Sequence, residues 1–224
     1  MIQDSGDGIS VHEVSGPVPP RTDGVVAVLL HGRGSDEHDL QGLGRLLPES
    51  WTLVTPRALH AGAPWGYGPG WAWYRYVAED RVVPETFEAS LAALDAFLDG
   101  LPERLGGTPG RLVLGGFSQG GSLSLAYALT RPGRVAAALN FSGFLVDGLP
   151  LPDPADAPPL FWGHGLTDPA IPHALAVRGR ARLARAGLQM STLDHPGGHT
   201  IVPDEIRAAL EMAERAVEPG FGDV

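Results

Sequence analysis

Val25-Val26-Ala27-Val28-Leu29-Leu30 is a run of six apolar residues without a polar break. A strand with one wet face alternates apolar and polar side chains, so an unbroken run marks a strand covered on both faces. Such strands belong to parallel sheets packed between helices, and the rest of the chain meets that demand. Trp51 to Val54, Arg111 to Leu114, Val135 to Leu139, Leu160 to Trp162 and Ser191 to Leu193 read as further strands. Phe87, Leu91, Leu94, Leu98, Leu101 and Leu105 recur at helical spacing and form one apolar stripe. Further helices are expected over Glu37 to Leu47, Gln119 to Leu129, His173 to Arg185 and Asp204 to Val217. Gly187 stands where one would stop and Pro203 where one would start. Ile9 to Val14 alternates apolar and polar residues, as the edge strand of a hairpin would. The expectation is an α/β fold with a mostly parallel central sheet and helices on both faces, in one domain over residues 1–224, with 1–23 as an N-terminal edge strand and tail.

Composition removes whole classes of chemistry. All 16 basic residues are Arg, so Schiff-base chemistry, a phosphate-loop Lys and a Ser-Lys dyad are excluded. Cys is absent, which removes thiol nucleophiles, thiolate metal sites and disulfides. A formal charge of -10 disfavours nucleic acid as a partner. The acidic start, MIQDSGDGISVHEV, lacks the basic and apolar regions of a signal peptide, and no apolar run is long enough to span a bilayer. A cytoplasmic protein without stable membrane insertion is expected.

The strand at Leu112-Val113-Leu114 leads into Gly116-Phe117-Ser118-Gln119-Gly120, a G-x-S-x-G turn with an apolar helix behind it. A strand that turns at once into a helix exposes its central residue at the sheet rim and needs small neighbours there. The helix N-terminus then favours developing negative charge beside Ser118. The bland alternative is an incidental Ser in a Gly-rich turn. On the hydrolase reading, Ser118 is the nucleophile and the Gln119 N–H is one oxyanion donor. The second donor comes from the turn after the first long strand, His31-Gly32-Arg33-Gly34, where Arg33 is the candidate. Asp36, Glu37 and Asp39 then suit the first turn of the following helix. A phosphate cradle at the same turn fails, because Glu37 stands where G-x-G-x-x-G needs Gly.

Asp168 ends a Gly-rich turn after the strand at Leu160 to Trp162, and His199 follows Gly197-Gly198 after the last strand. The order Ser118, Asp168, His199 is the one this architecture uses for nucleophile, acid and base. Asp147 is the second candidate for the acid. His31, His164 and His195 are read as structural. His195 and His199 do not make a zinc pair, because Pro196-Gly197-Gly198 cannot hold them on one helix face. No metal or cofactor is expected.

LHGRGSDEHDL, GFSQGGSLSLAYAL, HGLTDPAIP and GGH, in that order, resemble the signature stretches of the phospholipase/carboxylesterase family, which includes acyl-protein thioesterases. The resemblance runs from about residue 25 to 217. It implies an α/β-hydrolase fold without a large lid domain, the triad Ser118, Asp168 and His199, and the Arg33 and Gln119 N–H groups as the oxyanion hole. It also allows a homodimer. The activity implied is hydrolysis of a small-molecule carboxylic ester, with thioester or lysophospholipid hydrolysis by the same triad as the alternative. A non-catalytic small-molecule binder on the same scaffold is the reading from another class.

One segment departs from the family pattern. Residues 56–77 hold three of the five Trp and three of the four Tyr, interleaved with Gly and Pro. They should form a loop or irregular hairpin. Trp65, Trp71 and Trp73 are candidates for the substrate-pocket wall; alternatively they roof the core.

Overall fold

A computed structural model of the chain describes residues 8–21 and 24–218. The expected tail at 1–7, with Thr22 and Asp23, lies outside the described residues. In chain order the elements are β1 His12–Ser15, β2 Val25–Leu30, β3 Thr52–Pro56, β4 His60–Ala61, β5 Trp71–Ala72, β6 Tyr76–Ala78 and β7 Arg81–Val82. Helices α1 Pro84–Asp99 and α2 Leu101–Leu105 follow, then β8 Arg111–Phe117, α3 Gln119–Thr130, β9 Ala137–Phe141 and β10 Leu160–Gly165. The last elements are α4 His173–Arg185, β11 Met190–His195 and α5 Pro203–Val217.

The main sheet has seven strands in the order β1-β3-β2-β8-β9-β10-β11, all parallel except β1. Every residue of β2 is buried. Val26, Val28 and Leu30 enter the apolar layer that also holds side chains of α1, α3 and α4. Val25, Ala27 and Leu29 enter the opposite layer, with Ala209, Met212 and Ala213 of α5. The period-2 geometry of a strand thus divides one apolar run between two cores.

Three expectations are corrected. The alternating stretch at Ile9 to Val14 supplies the edge strand β1, as expected, but not within a hairpin: β1 pairs antiparallel with β3, which is not its neighbour in sequence, His12 opposite Pro56 and Ser15 opposite Leu53. The β2–β3 crossover leaves the outer edge of β3 open, and β1 covers it. Glu37 to Leu47 is no α-helix but a turn followed by a 3-10 helix at Gln41–Leu46. The Asp36 carboxylate accepts the His38 N–H, and Thr55 Oγ1 donates to the Glu37 carbonyl, so side chains divert the backbone groups an α-helix needs. The Asp36, Glu37 and Asp39 charges therefore face no helix dipole. Finally, the stripe from Phe87 to Leu105 is buried throughout but divided between α1 and α2 at Gly100, because Pro102 has no N–H to continue the ladder. Gly100 keeps a right-handed φ of -82°, so both pieces present the stripe to the same core.

Candidate active site

The carboxyl ends of β2, β8, β10 and β11 meet at one rim of the sheet, where parallel sheets bind ligands. Ser118 stands between β8 and α3 at φ 56°, ψ -114°, a conformation that costs a non-glycine residue about 1–3 kcal/mol. Its N–H donates to the Phe141 carbonyl at 2.8 Å, and its carbonyl accepts from the Ser122 N–H at 3.0 Å. The flanking Gly residues allow the turn to pass against β2. A Cβ on Gly120 would lie 2.1 Å from the Leu30 carbonyl oxygen, and one on Gly116 would lie 2.6 Å from that same oxygen.

Asp168 follows β10, with its carboxylate fully buried. Oδ1 accepts the Ala170 and Ile171 N–H groups, both at 2.8 Å, which fixes the carboxylate plane. Oδ2 lies 2.6 Å from His199 Nδ1, and His199 Nε2 lies 2.9 Å from Ser118 Oγ. With a carboxylate on Nδ1, that nitrogen carries the proton and Nε2 is free to accept one. The Phe117 ring packs against the imidazole, centroids 4.7 Å apart. Asp147 is exposed and its backbone N–H pairs with the Asp80 carbonyl, in a loop that does not reach the imidazole.

The three histidines expected to be structural, His31, His164 and His195, brace this rim. His31 Nδ1 donates to the Gly32 carbonyl at 2.7 Å and Nε2 accepts the Ala58 N–H at 3.0 Å; burial lowers its pKa and keeps it neutral. His164 Nε2 donates to the Ile171 carbonyl at 2.8 Å, closing the loop that carries Asp168, and burial lowers its pKa too. His195 Nδ1 accepts the Gly197 N–H at 3.1 Å, and Nε2 faces Glu205 Oε2 at 3.3 Å. Burial raises the pKa of Glu205, whose carboxylate also accepts the Val202 N–H at 2.9 Å. Among the described residues no group of three or more His, Cys, Asp and Glu is placed to hold a metal ion.

The backbone N–H groups of Arg33 and Gln119 have no hydrogen-bond acceptor among the described residues. Their segments are tied to one short stretch of the aromatic segment. The Trp73 ring N–H donates to the His31 carbonyl at 2.9 Å, and the Trp73 backbone N–H donates to Gln119 Oε1 at 2.7 Å. Gln119 Nε2 donates to the Tyr74 carbonyl at 2.7 Å. Trp71 exchanges 2.7 Å backbone hydrogen bonds with Gly34 and Ser35. The buried Gln119 side chain is a positioning group that motif reading missed. Its signal in the sequence was a polar side chain heading an otherwise Gly, Ser and apolar helix.

A cavity of about 420 Å³ opens beside Ser118 and His199. Tyr76, Phe117, Phe144, Ile171 and Leu175 give it an apolar wall, and Arg33 and Glu79 bring charge to it. Trp65, Trp71 and Trp73 do not line it, which corrects the pocket-wall expectation. Trp73 is wholly buried because its ring N–H is spent on the His31 carbonyl. Trp71 packs under the Arg57 guanidinium, and Trp65 packs on His60 and Tyr67. Tyr76, from the same segment, reaches the cavity instead. A larger groove of about 730 Å³ lies at the amino ends of β8, β10 and β11, beside Arg111, Leu160 and Met190, away from Ser118.

A mostly parallel sheet with a Ser, His and Asp relay at its carboxyl rim defines an α/β-hydrolase. The chain belongs to the phospholipase/carboxylesterase family, whose model matches residues 13–215. It is similar to acyl-protein thioesterase 1 of Neurospora crassa, 28% identical over 81% of this chain and 82% of that one. A protein of Oryza sativa subsp. japonica named "Probable carboxylesterase" is 32% identical over 73% of this chain and 56% of its own. Among solved structures, esterase PE8 superposes with a TM-score of 0.77 at 28% identity, covering 93% of this chain and 99% of that one. The protein is a hydrolase acting on esters. No helix among the described residues is long and apolar enough to cross a membrane.

Proposed function

We propose that the protein is a serine carboxylesterase that cleaves small to medium carboxylic esters through an acyl-enzyme on Ser118. His199 Nε2 takes the Ser118 proton as Oγ attacks the ester carbonyl. Asp168 holds the imidazole in that tautomer and stabilises its charge once protonated. The Arg33 and Gln119 N–H groups receive the oxyanion, a role worth about 3 kcal/mol for one donor. His199 returns the proton to the departing alcohol, and a water molecule repeats the sequence on the acyl-enzyme. Because the base must be neutral, turnover should decline in mildly acidic solution.

The observation that carries this reading is the unbroken relay of 2.6 Å and 2.9 Å from Asp168 through His199 to Ser118 Oγ. The cavity volume supports a modest acyl group. All these groups lie in one chain, so a homodimer is not needed to complete the site. The reading includes a single domain and a cytoplasmic setting. Labelling by a fluorophosphonate, with a p-nitrophenyl ester burst equal to the enzyme concentration, is the expected result. Ser118→Ala should abolish both and lower kcat by about a million-fold. An intact burst in that variant overturns the assignment. A non-catalytic binder would show neither label nor burst. The name of the Neurospora relative favours thioesters as a second substrate class. Acyl-CoA, lysophospholipid and p-nitrophenyl butyrate assayed on one preparation distinguish these; the butyrate is expected to give the highest kcat/KM.

A further inference from the structure

The Arg33 side chain has no part in the proposed oxyanion hole, which uses only its backbone. It lines the cavity beside Ser118, is exposed, and makes no ion pair among the described residues. Its guanidinium lies 4.7 Å from the centroid of the Tyr67 ring and 5.4 Å from that of Tyr76. Those rings are fixed in turn: the Tyr67 hydroxyl accepts the Tyr76 N–H at 3.0 Å, and Tyr76 packs on Tyr74 and Phe144. Aromatic rings packed against a guanidinium restrain it, and with no ion pair its N–H groups remain available to a planar anion. Of the other residues lining the cavity, Glu79 alone bears a permanent charge. Glu79 Oε2 lies 3.9 Å from Arg178, whose guanidinium donates at 2.6 Å to Asp80.

We infer that Arg33 is a specificity residue and that the preferred substrates are short esters bearing a carboxylate or similar anion within one arginine side chain of the reacting carbonyl. The inference rests on the esterase reading above and narrows it to a substrate class. A bidentate, charge-assisted contact in a half-enclosed site should favour such an ester over a neutral one by about tenfold to a hundredfold.

The test compares kcat/KM for isosteric pairs. One arm places the anion on the acyl side, mono-p-nitrophenyl glutarate against p-nitrophenyl 5-methylhexanoate. The other places it on the alcohol side, 3-carboxyphenyl acetate against 3-isopropylphenyl acetate. At least one arm should show the anion preferred by tenfold or more, the preference should shrink with added salt, and Arg33→Met should bring it to about one. The ratio is the readout, since the variant also alters the residue that carries an oxyanion donor. Glu79→Gln should raise the ratio. Ratios at or below one in both arms overturn the inference, as does a ratio unmoved in Arg33→Met. Preference for acetylcholine over 3,3-dimethylbutyl acetate overturns it as well, because Glu79 would then set the charge of the site. If no ester were turned over, the esterase reading would fail by itself. Calorimetric binding of glutarate to Ser118→Ala then decides the matter: binding lost on adding Arg33→Met upholds the anion site, and binding absent or unchanged removes it.

Discussion

Two stretches approach Ser118 from opposite sides and serve it differently. Asp168 and His199, on loops after β10 and β11, arrive through side chains and form the relay with the hydroxyl. Residues 71–74 arrive through backbone groups and one indole N–H, and hold the two segments that carry the free N–H donors. On the proposed mechanism the relay handles protons, whereas the aromatic stretch sets where a carbonyl oxygen can rest. Damage to the relay should therefore remove turnover and spare the fold. Damage to the aromatic stretch should reduce both together.

Asp168→Asn is the sharpest test of the first half. The amide oxygen can keep the Ala170 and Ile171 N–H groups, but its NH2 faces His199 Nδ1 and demands a lone pair there. The imidazole proton moves to Nε2, which can no longer take one from Ser118. We expect kcat to fall by about ten-thousand-fold, with Tm within about 4 °C of the parent. A loss below tenfold would remove Asp168 from the relay.

Trp73 tests the other half. Trp73→Ala empties a wholly buried site and should cost about 3–5 kcal/mol of stability. Trp73→Phe keeps most of the ring but orphans the His31 carbonyl, and should cost about 1–3 kcal/mol. In that variant kcat should drop while the ratio of long to short acyl esters stays the same. Unchanged Tm with altered acyl preference would make Trp73 part of the cavity wall after all, and the contrast between the two stretches would dissolve.

The same contrast explains what the sequence made legible. Ser118, with Gly116 and Gly120, could be read because a turn this tight against β2 admits few residue types. The β2 run declared a strand with two covered faces, and the helical stripe survived even the break at Gly100. Trp65, Trp71 and Trp73 were illegible because their partners lie at Arg57, His60, His31 and Gln119, distances no local period encodes. Trp73 and Tyr76 are three residues apart, yet one roofs the core and the other faces the cavity. The helix expected at Glu37 to Leu47 failed for a related reason: Thr55 and Arg57, remote in sequence, claim the Glu37 carbonyl and carboxylate.

The pair of Glu37 and Arg57 provides an acid probe of the aromatic side. Arg57 Nε donates to Glu37 Oε2 at 2.6 Å, and its guanidinium lies over the Trp71 ring. The hydrogen bond from Arg57 holds the Glu37 pKa down to about 2, against an ordinary 4.5. A depressed carboxylate stabilises the fold fully above the unfolded value and loses that contribution as pH falls from about 4.5 to about 2. The pair should contribute at most about 3 kcal/mol over that window. Thermal melts between pH 5 and 2.5 should show a shallower fall for Glu37→Gln than for the parent. Parallel curves would mean that the ion pair is not what holds the start of the segment.

Tyr76→Ala should give the smallest change in turnover and the most informative one. The side chain is half-buried and lines the cavity, so its loss should cost about 1 kcal/mol of stability and move kcat on a short ester by less than about threefold. Widening the wall should shift preference towards longer acyl chains by roughly tenfold, the size of effect that one or two methylenes have in an apolar pocket. Because the Arg33 guanidinium also lies over the Tyr76 ring, the same variant should weaken any preference for anionic esters without removing the charge. A Tyr76→Phe control keeps the ring and should preserve both preferences. If Tyr76→Ala leaves acyl preference untouched, residues 71–76 act on the site only by bracing it, and the boundary between bracing and binding lies beyond Tyr76.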